Sequence, residues 1–335
     1  MQLVPLRLGN KQYYILFFII SVALNGSFAQ QLKNKDKEID SIKAFIKYGK
    51  DRQRNHEVRK YYTDKAAQLS LLEKNDSLRN IYFLDLSLVY SNLGDSLNFR
   101  KFNSKSTFLS KKLKDSISLA GNYWDLAFFY VNKGMKDSAY YNYSNAHKIY
   151  NKLEDSSNEA QMLLNMAIIQ TNYKDYTGSE ITTIEAIKIF KTLNDDYQLY
   201  RCYNNLGVIY NGLEEYDQAL FYYMEAANYL NKTQGIKKDK VASLNNIGVI
   251  YQEKLEYDKA IENFNQALKY ENIKKDDPST FARVLDNLAY SKLKINDTTG
   301  IYKLFNDALH IRDSVNNFGG ITVNKLHLAE YYLSV

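Results

Sequence analysis

A block of apolar and small residues returns along this chain with a fixed period. Asn205-Leu206-Gly207-Val208-Ile209-Tyr210 reappears 41 residues later as Asn246-Ile247-Gly248-Val249-Ile250-Tyr251, and Tyr-Asp-x-Ala follows each block, at Tyr216 to Ala219 and at Tyr257 to Ala260. Steps of 40 or 41 residues carry one apolar position through Leu86, Leu126, Met166, Leu206, Ile247, Leu288 and Leu328. A small residue stands behind each: Ser87, Ala127, Ala167, Gly207, Gly248, Ala289 and Ala329. Small residues let neighbouring helices approach closely, and aromatics three or four positions away fill the space between them. The register therefore predicts a stack of like helical units.

These motifs resemble the tetratricopeptide repeat (TPR) family, whose helix-turn-helix unit carries Leu-Gly and then Tyr on its first helix and Ala, aromatic, Ala on its second. Ala139, Tyr143 and Ala146 match the second-helix pattern, as do Ala219, Tyr223 and Ala226, then Ala260, Phe264 and Ala267; the last full unit keeps Phe305 and Ala308. The resemblance implies an all-α fold, an α-α superhelix of about six full repeats flanked by a degenerate N-terminal pair and a C-terminal half repeat. The expected array covers 76–318, the degenerate pair 38–75, and an unpaired first helix 319–335. The family's usual unit has about 34 residues and a proline between repeats. This chain's longer period, without that proline, predicts longer helices rather than longer loops. Asp76, Asp115, Asp155, Asp195 and Asp277 stand where a carboxylate can satisfy the open amides of each first helix. Asp95, Asp137, Asp175, Asp217, Asp258 and Asp297 mark the turns into the second helices.

Composition agrees with long packed helices. Only 2 Pro and 14 Gly interrupt 335 residues, while 30 Tyr and 16 Phe need packing sites. The formal charge of +6 is a poor footprint for nucleic-acid binding. Ten Lys and Arg against five Asp and Glu between Lys33 and Lys60 give the N-terminal pair a local excess, which reads first as a solvated face and second as a site for an anionic partner. With Cys202 as its one cysteine, the chain forms no internal disulfide. The first residues read as an address. Arg7 and Lys11 precede an apolar run from Tyr13 to Leu24 and a small-x-small site at Ser27-Phe28-Ala29, so residues 1–29 are expected to be a signal peptide and 30–37 a linker. The run falls short of a bilayer span. An exported chain, periplasmic or extracellular, is the expectation, with no membrane span in its mature part.

Catalytic motifs are missing from the sequence. It holds no GxSxG, HExxH, GxxxxGK[ST] or GxGxxG, and His56, His147, His310 and His327 fall on separate repeats without a second ligand at i+3 or i+4. No enzyme, cofactor or metal site is expected.

What remains is a surface. In TPR proteins the first helices line a concave face, which implies that the residues one before, two before and two after each marker leucine look into a groove. One before gives Asp85, Asp125, Asn165, Asn205, Asn246, Asn287 and His327, polar at every step. Two before gives Leu84, Trp124, Leu164, Asn204, Asn245 and Asp286; two after gives Leu88, Phe128, Ile168, Val208, Val249 and Tyr290. An asparagine both donates and accepts, so a ladder of them can pair with an extended peptide backbone without reading its sequence. The expected groove contacts are Asp85, Trp124, Asp125, Phe128, Asn165, Asn204, Asn205, Asn245, Asn246 and Asn287, with Trp124 as the aromatic anchor. The partner is expected to be a protein or peptide, not nucleic acid. Two roles fit: the sensory ectodomain of a signalling protein, or a stand-alone exported scaffold.

Overall fold

The computed structural model describes residues 42–233, 237–270 and 272–334. The expected signal peptide, the linker and the start of the N-terminal pair lie outside the described residues. The described chain is all-α, with sixteen helices and no strand. It divides into two compact units, residues up to Phe129 and residues from Tyr130 onward.

Unit 1 contains α1 (Ile42–Lys50), α2 (His56–Ser70), α3 (Asp76–Asn92), α4 (Ser96–Leu113) and most of α5 (Ser116–Asn132). The helices α1 and α2 form one pair, α3 and α4 the next. One apolar core runs through them, from Phe45 and Tyr62 to Leu86, Tyr90, Phe99 and Phe102. A polar seam crosses it. Asn80 and Asn122 are fully buried, and both bond to Ser106 and Ser110 of α4, with Ser106 Oγ donating to Asn80 Oδ1 at 2.8 Å and Asn122 Nδ2 donating to Ser106 Oγ at 2.9 Å. Such groups are tolerated in a core because each finds a partner there.

Unit 2 continues with α6 (Lys136–Lys152), α7 (Ser156–Asn172), α8 (Tyr176–Leu193), α9 (Asp196–Gly212), α10 (Tyr216–Lys232), α11 (Lys237–Glu253), α12 (Tyr257–Leu268), the single turn α13 (Ile273–Asp276), α14 (Pro278–Lys294), α15 (Ile301–Ser314) and α16 (Phe318–Ser334). The antiparallel pairs are α7/α8, α9/α10, α11/α12 and α14/α15, and α16 packs on α14 and α15. Most helices have 17 or 18 residues, joined by two- or three-residue turns. The small residues do what their register requires. Ala167, Ala186, Ala219, Ala260 and Ala289 are completely buried, and a Cβ on Gly207 would stand 2.5 Å from the Tyr223 ring. Stacked tyrosines fill the remaining gaps, Tyr203 on Tyr229 at 5.2 Å and Tyr210 on Tyr222 at 5.1 Å.

The short turns are built alike. A left-handed residue ends the helix, and the next N–H reaches back five residues, as from Asp95 to Tyr90 O, Asp155 to Tyr150 O and Asp195 to Phe190 O, at 3.0 to 3.1 Å. Where an aspartate follows, it caps the next helix; Met135, Glu215 and Glu256 make no such cap, and Asp137, Asp217 and Asp258 sit inside the first turns of α6, α10 and α12. Asp95, Asp115, Asp155, Asp175, Asp195 and Asp277 each accept a bond from the amide three residues on. Asp76 departs from the expectation: Asn75 caps α3, accepting from Ser77 and Leu78, while Asp76 sits in the first turn and pairs with Arg79 and Lys112. Asn75 stands at the N-cap, from which its side chain reaches those amides, and Asp76, already inside the helix, is left for cations.

Candidate functional site

The polar positions of the first helices in unit 2 form a connected set. Asn246 on α11 donates through Nδ2 to Asn204 Oδ1 on α9 at 3.1 Å, and Asn287 on α14 donates to Asn245 Oδ1 on α11 at 3.0 Å. Each bond joins adjacent first helices. One amide edge in each pair is thereby used, and among the described residues the Oδ1 of Asn246, the Oδ1 of Asn287 and the Nδ2 of Asn204 take no further bond.

Two clefts flank this partition. A cleft of about 360 Å³ is bounded by Asn204, Arg201, Tyr197, Val208 and Ile168. A second, of about 550 Å³, is lined by Asn245, Asn246, Asn287, Val249, Arg283 and Arg312. Both combine amide groups with guanidinium and aliphatic side chains. That mixture suits a ligand carrying carbonyls, amides and apolar branches together.

Beneath the second cleft lies a cluster that sequence reasoning did not assemble. Asp286 is 0% exposed, and its carboxylate accepts from Arg312 Nη1 at 2.9 Å and Asn324 Nδ2 at 3.0 Å, with His327 Nδ1 at 3.1 Å. Arg312, also buried, donates to Gly320 O as well. His327 stacks on Tyr290 at 4.4 Å. Asp286 and His327 both stood in the expected polar register, but Arg312 comes from a second helix, and no period links it to them. The cluster ties α14, α15 and α16 together.

The expected contacts fall into distinct environments. Asp85, Trp124, Asp125 and Phe128 belong to unit 1. Phe128 is exposed and Trp124 half-buried; Asp85 is held by Lys50 at 2.6 Å. Burial pushes the Asp125 carboxyl up to about 7. In unit 2, Asn165 accepts from Gln161 on its own helix at 3.1 Å. Asn205 faces mostly inward. It is 5% exposed, turned into the interface with α7 and α8, where it accepts from Thr171 and donates to Ser179 and Thr183 at 2.9 to 3.2 Å. Its amide holds helices together, and it lines the first cleft beside Asn204. Cys202 is completely buried, with its thiol pushed up to about 12 by the apolar surroundings. Among the described residues no group of three His, Cys, Asp or Glu side chains is placed to hold a metal ion, and no helix is long and apolar enough to cross a membrane.

Residues 198–270, spanning α9 to α12, match the family model described as Tetratricopeptide repeat. The chain has the fold of a tetratricopeptide repeat protein. Solved structures of TPR-like proteins extend the likeness over most of its length. The apo form of RapI covers 85% of this chain and 77% of its own, at 19% identity and a TM-score of 0.60. NprR, solved in complex with its cognate peptide NprX, covers 88% and 85%, at 13% identity and a TM-score of 0.59. A signal transduction ATPase with numerous domains from Pyrococcus horikoshii, which carries a tetratricopeptide repeat sensor, matches 81% of this chain over 42% of its own, at 18% identity and a TM-score of 0.64. At such identities the likeness is one of fold. No curated protein matches the chain.

Proposed function

We propose that this TPR chain is a non-enzymatic binding module that holds a peptide or an extended segment of a protein along the first helices of unit 2. The observation that carries the reading is the pair of amide bridges, Asn246 to Asn204 and Asn287 to Asn245, between two clefts with unused donor and acceptor edges. A peptide backbone presents the complementary N–H and C=O groups at every residue. The NprR complex with its cognate peptide supports the reading by analogy of fold. In unit 1, Phe128 and Trp124 are proposed as apolar contacts for the same class of ligand. The proposal includes an extracytoplasmic setting, supported by the pattern from Arg7 to Ala29, and a sensory role, supported by the likeness to a protein with a TPR sensor. A stand-alone exported scaffold is the alternative to that role.

A peptide library panned against the purified chain provides the test. Asn246→Ala with Asn287→Ala removes two neutral hydrogen bonds worth about 0.5 to 1.5 kcal/mol each, so affinity falls by roughly five- to 150-fold. Asn205→Ala, in contrast, lowers stability and leaves the affinity of the folded fraction unchanged. Selected peptides whose binding ignores the double substitution put the ligand elsewhere. N-terminal sequencing of the exported protein tests the setting; an intact Met1 would refute cleavage near Ala29.

A further inference from the structure

Charge is unevenly divided between the two units. Residues 42–129 hold sixteen Lys and Arg against nine Asp and Glu, an excess of seven, whereas residues 130–335 hold twenty-three against twenty-six. Two stretches carry the excess of unit 1, residues 42–60, with seven Lys and Arg against two Asp and Glu, and α4. The α4 sequence, SLNFRKFNSKSTFLSKKL, contains five cations and no carboxylate. At 100° per residue, Leu97 and Phe108 lie on almost the same line of the helix, three turns or about 16 Å apart. Lys101, Lys105 and Lys112 fall on one side of that line, Arg100 and Lys111 on the other.

The side chains follow this wheel. Leu97 is 80% and Phe108 68% exposed, and all five cations are exposed with them. Phe108 also forms the wall of a cleft of about 520 Å³ with Leu71, Phe83 and Leu109, and Arg79 and Lys105 stand at its rim. Leu72, on the adjoining turn, is likewise exposed. Two protruding apolar side chains, flanked on both sides by long flexible cations, are poorly arranged for dissolving in water. They are well arranged for an interface whose polar layer is anionic and whose interior is hydrocarbon.

We infer that the outer face of α4, centred on Phe108 and Leu97, is a docking surface for an anionic lipid bilayer. Lys101, Lys105, Arg100 and Lys111 lie at the headgroup phosphates and carboxylates, the two apolar side chains enter between acyl chains, and the cleft beside Phe108 receives apolar lipid surface. A bilayer fits better than an acidic polypeptide because the apolar groups project from the helix, where a bilayer yields to them. A folded partner would need a matching pocket for each. This inference does not rest on the peptide reading, since the surface lies on α4 and the peptide contacts lie on other helices.

The test is co-sedimentation of the full chain with vesicles of phosphatidylcholine alone and of phosphatidylcholine with phosphatidylserine, at low and at physiological salt. The expected result is binding to the anionic vesicles that weakens with salt. Lys101→Ala with Lys105→Ala should reduce it about 25-fold, at about fivefold for each cation. Leu97→Ser with Phe108→Ser should reduce it about tenfold or more. All four side chains are exposed, so unchanged circular-dichroism melting is the check that each variant is folded. Absence of binding to the anionic vesicles at low salt overturns the proposal. It is equally overturned if the lysine pair matters, the Leu97 and Phe108 pair does not, and soluble polyglutamate competes fully, for the surface then reads an acidic polypeptide.

Discussion

Replacing Arg312 by methionine strips the buried Asp286 of its counter-charge at the floor of the second cleft. The carboxylate is completely buried and keeps only Asn324 and His327, at 3.0 and 3.1 Å, once the 2.9 Å guanidinium contact is gone. Breaking one partner out of a buried ion pair typically costs about 3 to 5 kcal/mol, most of it the penalty of the charge left behind. In a repeat array that cost is felt first by neighbouring repeats, so the assay is amide hydrogen exchange over 278–334 rather than a global melt alone. At a tenfold change per 1.4 kcal/mol, exchange there should accelerate by about two to three and a half orders of magnitude. Adding Asp286→Asn removes the stranded charge while keeping the shape, and should return most of the protection. If Arg312→Met left exchange in α14 to α16 unchanged, or if the double variant were no better than the single, the cluster would not be what joins these helices.

Three further outcomes follow from the packing. Gly207→Ala places a Cβ 2.5 Å from the Tyr223 ring, so overpacking of about 1 to 3 kcal/mol should outweigh the gain of up to about 1 kcal/mol in helix propensity, and urea midpoints should fall. An unchanged or raised midpoint would show that the ring has room to move. Cys202, buried and with its thiol pushed up to about 12, should resist alkylation at neutral pH in the folded protein and react only on denaturation; rapid native labelling would contradict its placement. Asp125 binds its proton more tightly in the folded state, up to about 7, than in the unfolded chain, at about 4. Stability should therefore fall as pH rises from about 4 to about 7, and Asp125→Asn should flatten that slope; a slope unaltered by the substitution would assign it to other groups.

Most of the fold could be read from the chain because it repeats. Leu206 and Gly207 alone would not distinguish a core helix from any other, but the same pair returning as Ile247 and Gly248 fixes which face is buried. The second-helix alanines are fully or almost fully buried for the same reason: a Cβ is all the space that the adjacent helix leaves. Caps were legible where a single aspartate preceded a helix, and misread where Asn75 and Asp76 competed for one site.

Polar residues on the first helices were harder, and Asn204 and Asn205 show why. Adjacent residues on a helix point about 100° apart, so one chemical type at both positions can serve two different surfaces. A regular period says that both positions recur; it does not say which edge of the helix faces a neighbour. That depends on what the neighbour offers. Here α8 presents Ser179 and Thr183, and α7 presents Thr171, hydroxyls that together take both N–H groups and one oxygen lone pair of the amide and draw Asn205 inward. One repeat later it is Asn245 that is buried while Asn246 bonds to Asn204 across the groove-side face, so the inward position shifts by one residue although the motif looks unchanged. Around Asn205 it is therefore hydroxyls without a family signature, Ser179 and Thr183 on α8 and Thr171 on α7, that set which way the asparagine faces.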